Sequence, residues 1–139
     1  MKTKSLVVLG LLSAFAQSHA LEGYPVPLGR PAYSPGSVSA VCDASDDGRY
    51  VVFVTNTFIH PLANGQPQVY LRDTVSQQTW MVSQHNGVAS NFGSSDARCS
   101  ADGHKIVFSS TSSNLGFIDP LGFQDIFVFD IMSKSMDLV

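Results

Sequence analysis

The sequence predicts an all-β protein built from two consecutive four-stranded antiparallel units. Three observations lead to this prediction: a pattern that occurs twice, strand-like runs rich in β-branched and aromatic residues, and a lack of helical periodicity after residue 20. No stretch there keeps apolar residues three and four apart over three turns, and Gly and Pro interrupt most windows. We therefore expect strands and turns along the rest of the chain.

The first twenty residues have the features of a secretory signal peptide. A basic start with Lys2 and Lys4 precedes an apolar run from Ser5 to Ala16, and the segment closes on small residues at Ala20. The apolar run is shorter than the roughly 20 residues that span a bilayer, and no second such run follows. We expect cleavage near Ala20, no membrane span, and a periplasmic or secreted product.

The charge pattern argues against nucleic acid or anionic lipid as a partner. The chain of 139 residues has a formal net charge of −3, which becomes −5 when Lys2 and Lys4 leave with the signal segment. The remaining Lys and Arg residues are scattered singly. Because neutralising phosphates requires clustered Lys and Arg, nucleic-acid binding is disfavoured.

An internal repeat divides the rest of the chain. The first copy runs over 45–53 and resumes at 68–73, and the second runs over 100–108 and resumes at 125–130. Their Asp-Gly pairs lie 55 residues apart. Each copy closes with a short apolar tail. We assign residues 21–82 to an N-terminal segment and the first repeat, and residues 83–139 to the second repeat.

Each repeat predicts four short strands. An Asp-Gly pair suits the positive φ of a tight hairpin turn, so the runs on either side are expected to pair antiparallel. The runs Tyr50–Thr55 and Ile106–Ser110 alternate little, which is typical of central strands covered on both faces. Gln68–Asp73 and Asp125–Asp130 form third strands, and the Asp that ends each can accept hydrogen bonds from the next turn. Residues 79–82 and 136–139 supply the fourth strands.

The repeated pattern resembles the TolB-type, WD-like β-propeller repeat of bacterial exported proteins. The resemblance implies structural roles in turns and interblade packing for Ser45, Asp47, Gly48, Phe53, Asp73, Ser100, Asp102, Gly103, Phe108 and Asp130. It implies a fold far more than a function. Closed propellers have roughly four to eight blades, so two blades make a partial propeller. The chain is then part of a longer propeller, or several copies close a ring, such as three copies forming six blades.

Few residues suggest catalysis or metal binding. No Gly-x-Ser-x-Gly string occurs, and the histidines lack the spacing of a zinc protease. Asp119 and Asp125 flank an oxygen-rich turn that is either a calcium site or, as we favour, a structural turn. Cys42 and Cys99 either form a disulfide, which export permits, or act as small buried hydrophobes. Aromatic residues in loops, including Phe58 and Phe117, either cap the sheets or form a recognition surface.

The favoured function is therefore a noncatalytic scaffold that binds an envelope protein, a peptide or another ligand, with no cofactor. The alternative is the propeller part of an exported peptidase or hydrolase whose catalytic domain lies elsewhere. Further repeats and a Gly-x-Ser-x-Gly segment downstream would favour the alternative.

Overall fold

The computed structural model describes residues 39–117 and 122–139, which contain ten β-strands and no helix. The strands are β1 (Ser39–Ala44), β2 (Tyr50–Thr55), β3 (Gln68–Asp73), β4 (Gln78–Met81), β5 (Gln84–His85), β6 (Val88–Ala89), β7 (Ser94–Cys99), β8 (Lys105–Ser110), β9 (Asp125–Asp130) and β10 (Met136–Leu138). None of the described residues therefore belongs to a helix able to cross a membrane.

Two four-stranded antiparallel sheets make up the fold. Strands β1, β2, β3 and β4 are neighbours in that order and form blade 1, and β7, β8, β9 and β10 likewise form blade 2. Neither sheet closes on itself. The all-β prediction with two four-stranded antiparallel units is thus confirmed. The strands predicted from the repeats agree with those observed to within one residue at each end.

Between the blades lies a small hairpin, β5–β6, which the sequence analysis did not predict. Its two-residue turn is Asn86-Gly87, with φ angles of 50° and 76°. Asn-Gly suits two consecutive positive φ angles and is a strong hairpin signal.

The Asp-Gly turns are wider than predicted. Gly48 and Gly103 do adopt positive φ angles of 70° and 71°. However, residues 45–49 separate β1 from β2, and residues 100–104 separate β7 from β8. A hydrogen bond from the Gly48 N–H to the Ser45 carbonyl closes a four-residue turn at 3.0 Å, and Gly103 does the same with Ser100 at 2.9 Å. The glycine is needed because it ends this turn in the left-handed region.

An aromatic pair crosses from the second to the third strand in each blade. Phe53 lies opposite Tyr70 with ring centroids 5.5 Å apart, and Phe108 lies opposite Phe127 at 5.4 Å. All four side chains are buried. The Tyr70 hydroxyl is buried without a hydrogen-bond partner among the described residues, and burial raises the pKa of Tyr70 to about 12.

The core lies between the blades. Strand β7 packs across β1 and β2, so one face of blade 1 is covered by blade 2. The buried cluster comprises Val52, Val54, Val69, Leu71 and Val82, followed along the chain by Ala97, Cys99, Ile106, Phe108, Leu115, Phe127, Phe129 and Ile131. Burying such branched and aromatic side chains supplies most of the driving force for folding.

Blade 2 leaves its other face open, which corrects one prediction. Val107 of β8 is 39% exposed and Ile126 of β9 is 43% exposed. We predicted that β2 and β8 would both be covered on both faces. This is correct for β2, in which Val51 to Thr55 are all buried, and wrong for β8. On this face of β8, Lys105 and Val107 are exposed, whereas Ser109 is buried and hydrogen-bonded to Gln124 and Asp96.

Candidate functional site

The serine and aspartate residues of the repeat form the same hydrogen-bond network in both turns. In blade 1 the Ser45 hydroxyl donates to Asp47 at 2.6 Å and accepts from the Tyr50 N–H at 3.0 Å. In blade 2 Ser100 donates to Asp102 at 2.6 Å. The hydrogen bond from serine is the main cause of a lowered pKa in each aspartate. These carboxylates stabilise their own turns.

The aspartates that end the third strands cap the following turns. Asp73 accepts from the Val75 N–H at 2.8 Å and from Arg49 at 3.0 Å. Burial alone would raise the pKa of Asp73, but the hydrogen bond from Arg49 and those from the turn lower it to about 2. Asp130 also has a pKa of about 2, chiefly because Ser133 donates to it. Both groups are ionised at neutral pH and are occupied by donors of their own blade.

The two blade turns also contact each other. The Asp46 N–H donates to the Ala101 carbonyl at 2.8 Å. A Cβ at Gly103 would lie 2.8 Å from the Tyr50 ring, so only glycine fits there without displacement. The turn residues singled out by the repeat are therefore part of the junction between blades.

Both cysteines lie near this junction as free thiols. Cys99 is buried in the core, whereas Cys42 is half-buried at an irregularity in the pairing of β1 with β2. Burial is the main reason that the pKa of Cys42 is raised. By position in the repeat, Cys42 corresponds to Ala97 rather than to Cys99. The disulfide stays a prediction.

The calcium hypothesis falls partly outside the described residues, because Asp119 lies within 118–121. Asp125 begins β9 and is half-buried. Among residues 39–117 and 122–139, no three His, Cys, Asp or Glu side chains are grouped so that they could hold a metal ion.

The loop aromatics Phe58 and Phe117 have different environments. Phe117 is half-buried and packs on Phe127, with ring centroids 6.1 Å apart, whereas Phe58 is 63% exposed. Their equivalent loops therefore do not give them one shared role.

A cleft of about 360 Å³ lies beside the junction of the blades. Its described lining residues come from the β5–β6 hairpin, the loop after β8, strand β9 and the turn into β10. They are Gln84, His85, Asn86, Gly87, Gly116, Phe117, Phe129, Lys134, Ser135 and Met136. This volume is within the usual range for small-molecule sites. Phe117, Phe129 and Met136 form its apolar part.

One wall of the cleft depends on a close contact between His85 and Gly116. A Cβ at Gly116 would lie 2.7 Å from the His85 ring, and Gly116 has a φ of +94°. The imidazole therefore lies against the Gly116 backbone. This contact holds the β5–β6 hairpin next to the loop that carries Phe117.

Lys134 supplies the positive charge of the cleft. Its ammonium lies 4.2 Å from the centroid of the Trp80 ring and 6.0 Å from that of Phe129. Burial is the main reason that the pKa of Lys134 is lowered. Among the described residues its side chain makes no hydrogen bond or ion pair. Cation–π contacts of this kind attract the ammonium to the faces of the rings.

In blade 1 the residues equivalent to Phe129 and Lys134 bind each other. Arg72 and Gln77 correspond in the repeat to Phe129 and Lys134, and Gln77 has the same φ of 59° as Lys134. Arg72 donates to both the backbone carbonyl and the side-chain oxygen of Gln77, each at 2.5 Å. In blade 1 the cation therefore lies at the position of Phe129 and is paired with the residue at the position of Lys134, and this pair has no counterpart at the same two positions of blade 2.

The sequence analysis did not identify this cleft. The contact between Trp80 and Lys134 joins residues 54 positions apart, so no local pattern reveals it. The only available signal was the replacement of the Arg72–Gln77 pair by Phe129 and Lys134 at equivalent positions of the repeat.

Comparison with solved structures gives a distant likeness. No protein-family model and no curated protein matches the sequence. Among solved structures, the crystal structure of TolB from Acinetobacter baumannii is similar, with 15% sequence identity and a TM-score of 0.48. The match covers 77% of this chain but only 22% of that chain. At this distance it assigns neither a family nor an activity.

Proposed function

We propose that this chain is an exported, noncatalytic β-propeller segment that acts as a protein- or ligand-binding scaffold in the cell envelope, as part of a larger blade assembly. The observation that carries the proposal is the open face of blade 2. The open face consists of Val107, Ile126 and Val128, of which Val128 is half-buried.

The repeat identifies what the open face is suited to bind. Val107, Ile126 and Val128 correspond to Val52, Val69 and Leu71, all of which are buried against blade 2. The covering surface in that case is another four-stranded sheet. A partner of the same kind suits the open face of blade 2, because the two faces occupy the same position in the repeat.

A second copy of this chain is less suitable than a further blade. To pack as blade 2 packs on blade 1, the copy would have to present the counterparts of Phe108 and Phe127. These are Phe53 and Tyr70, which are only 4% and 0% exposed within the chain. We therefore favour a further blade repeat over a ring made of three copies.

Photo-crosslinking in the source organism tests the scaffold role. A photoreactive amino acid replaces Val107 in one variant and Met132, which is 73% exposed in a turn, in the matched control. We expect a discrete adduct from the Val107 position, found in the periplasmic or secreted fraction, and none of the same mass from the Met132 position. A folded Val107 variant that yields no adduct, or an adduct confined to the cytoplasm, would contradict the proposal.

The nature of the partner is tested by extending the chain with a second copy of residues 83–139. We expect the added repeat to raise the urea midpoint and to slow hydrogen exchange at Val107 and Ile126. The control carries Val107→Asp in the original blade 2 and should lose both effects. Equal exchange in the extended and original chains would show that this face does not accept a blade.

A further inference from the structure

The cleft beside the junction combines one unpaired cation with an apolar wall. Lys134 is the one lining residue with a fixed positive charge, and none of the described lining residues is acidic. Phe117, Phe129 and Met136 offer apolar surface next to it. Pockets of this composition bind a ligand through its apolar body and orient it with a few polar contacts.

We propose that this cleft binds a small organic carboxylate, with the carboxylate paired to the Lys134 ammonium and an apolar body against Phe117, Phe129 and Met136. The inference does not depend on a partner for the open face of blade 2, because the cleft is lined by residues 84–87, 116–117, 129 and 134–136 of this chain.

The charge of the site favours a monoanion. A single lysine supplies one point charge and lacks the fork of donors with which arginine binds a carboxylate or a phosphate at two points. The carboxylate of Asp73 is also close enough to affect the pKa of Lys134. A second negative charge on the ligand would therefore meet repulsion without a second cation to offset it.

The repeat gives an internal reason to regard Lys134 as available for a ligand. At the equivalent place in blade 1, Arg72 donates to Gln77. Gln77 occupies the position of Lys134 and Arg72 that of Phe129, so the pair that stabilises this turn in blade 1 has no counterpart at these positions of blade 2. The Lys134 ammonium instead lies 4.2 Å from the centroid of the Trp80 ring, and Lys134 lines the cleft.

The same contact provides a reporter, because Trp80 is the only tryptophan of the chain. A ligand that draws the Lys134 ammonium away from the indole changes the fluorescence of Trp80. The probes are 4-phenylbutyrate, the neutral 4-phenylbutyramide, acetate and phenyl phosphate, titrated into the full chain. For an apolar ligand of this size the dissociation constant is expected to be on the order of 1 mM.

We expect saturable binding of phenylbutyrate, with the amide and acetate each weaker by about tenfold or more, as expected for loss of a charge-assisted contact or of the apolar body. Lys134→Met should remove the preference for the acid over the amide, and Lys134→Arg should restore part of it. Lys105→Met is the matched control, because Lys105 is an exposed lysine of the same blade that pairs with Asp130 at 3.5 Å. It should leave binding unchanged.

Backbone NMR shifts locate the bound probe and keep the test decisive if a variant folds poorly. Shifts should be confined to the β5–β6 hairpin, Gly116, Phe117 and the turn at Lys134. Equal affinity for acid and amide, unchanged binding by a folded Lys134→Met variant, or shifts outside the cleft would each overturn the proposal. Phenyl phosphate binding more tightly than the carboxylate would overturn the assignment of a monoanion.

Discussion

Blade 1 and blade 2 share a turn network, a strand register and an aromatic pair, but their faces are covered differently. All six residues of β3 are buried, whereas in β9 buried residues alternate with half-buried or exposed ones. The two strands occupy the same position in the repeat and end on equivalent aspartates. Hydrogen bonding within a blade is therefore local, but the burial of its faces depends on which element packs against it.

Substitutions of Val52 and Val107, which are equivalent in the repeat, should give the largest difference in stability between the two blades. Val52 is fully buried between the blades, and Val107 is 39% exposed. Val52→Asp should abolish folding because it places an unpaired charge in the core, whereas Val107→Asp should leave the isolated chain folded. For a measured difference, Val52→Ala should lower the free energy of unfolding by about 2–3 kcal/mol and Val107→Ala by less than about 0.5 kcal/mol.

Urea unfolding followed by circular dichroism measures both alanine variants. Unchanged m-values are required, because they show that the variants differ from the parent in stability alone. Similar losses at the two positions would mean that the Val107 face is covered in the isolated chain, contrary to the structure.

Removal of the carboxylates that cap the turns should give a smaller difference in stability between the blades. Asp73 is buried and accepts from Arg49 and two backbone N–H groups, whereas the Asp130 side chain is 29% exposed and pairs with Lys105. We expect Asp73→Ala to cost about 2–3 kcal/mol and Asp130→Ala to cost clearly less, since buried partners left unpaired are the more costly. Thermal and urea unfolding at neutral pH measure the two losses.

The lowered pKa of Asp73 predicts that the folded chain loses stability in acid. The pKa of Asp73 falls from an ordinary 3.8 to about 2 in the folded chain. Because the folded pKa is the lower one, this stabilisation is complete above pH 4 and is lost as the pH falls from about 4 towards 2. The difference in stability between the parent chain and Asp73→Ala should shrink over this range. A difference that stays constant would show that the carboxylate of Asp73 is not held in its ionised form.

Much of the fold was predictable because its signals are local. The runs at Tyr50–Thr55 and Asp125–Asp130 carry strand-forming residues between turn-forming ones, so they could be placed without any knowledge of tertiary contacts. Asn86-Gly87 was an equally local hairpin signal. The β5–β6 hairpin was therefore predictable from the sequence as well.

The open face and the cleft were not predictable in this way. Val52 and Val107 are the same residue type at the same position of the repeat, so no sequence pattern distinguishes the buried one from the exposed one. The cleft requires Lys134 to fold back onto Trp80 of the other blade. Both features depend on how strands that are distant in sequence pack together. The local sequence of either repeat does not indicate this packing.

The smallest contrast concerns the glycines of the two Asp-Gly turns, and it tests the packing between the turns themselves. Gly48 and Gly103 have nearly equal φ angles of +70° and +71°, so alanine should cost about 1 kcal/mol of backbone strain at either position. At Gly48 a Cβ meets nothing within 4 Å, whereas at Gly103 it would lie 2.8 Å from Tyr50. Gly103→Ala should therefore cost about 2 kcal/mol, and Tyr50→Ala in the same chain should recover part of the difference. If urea unfolding gave equal losses for the two alanine variants, the turns would not be in contact, and the blades would be joined by the buried core alone.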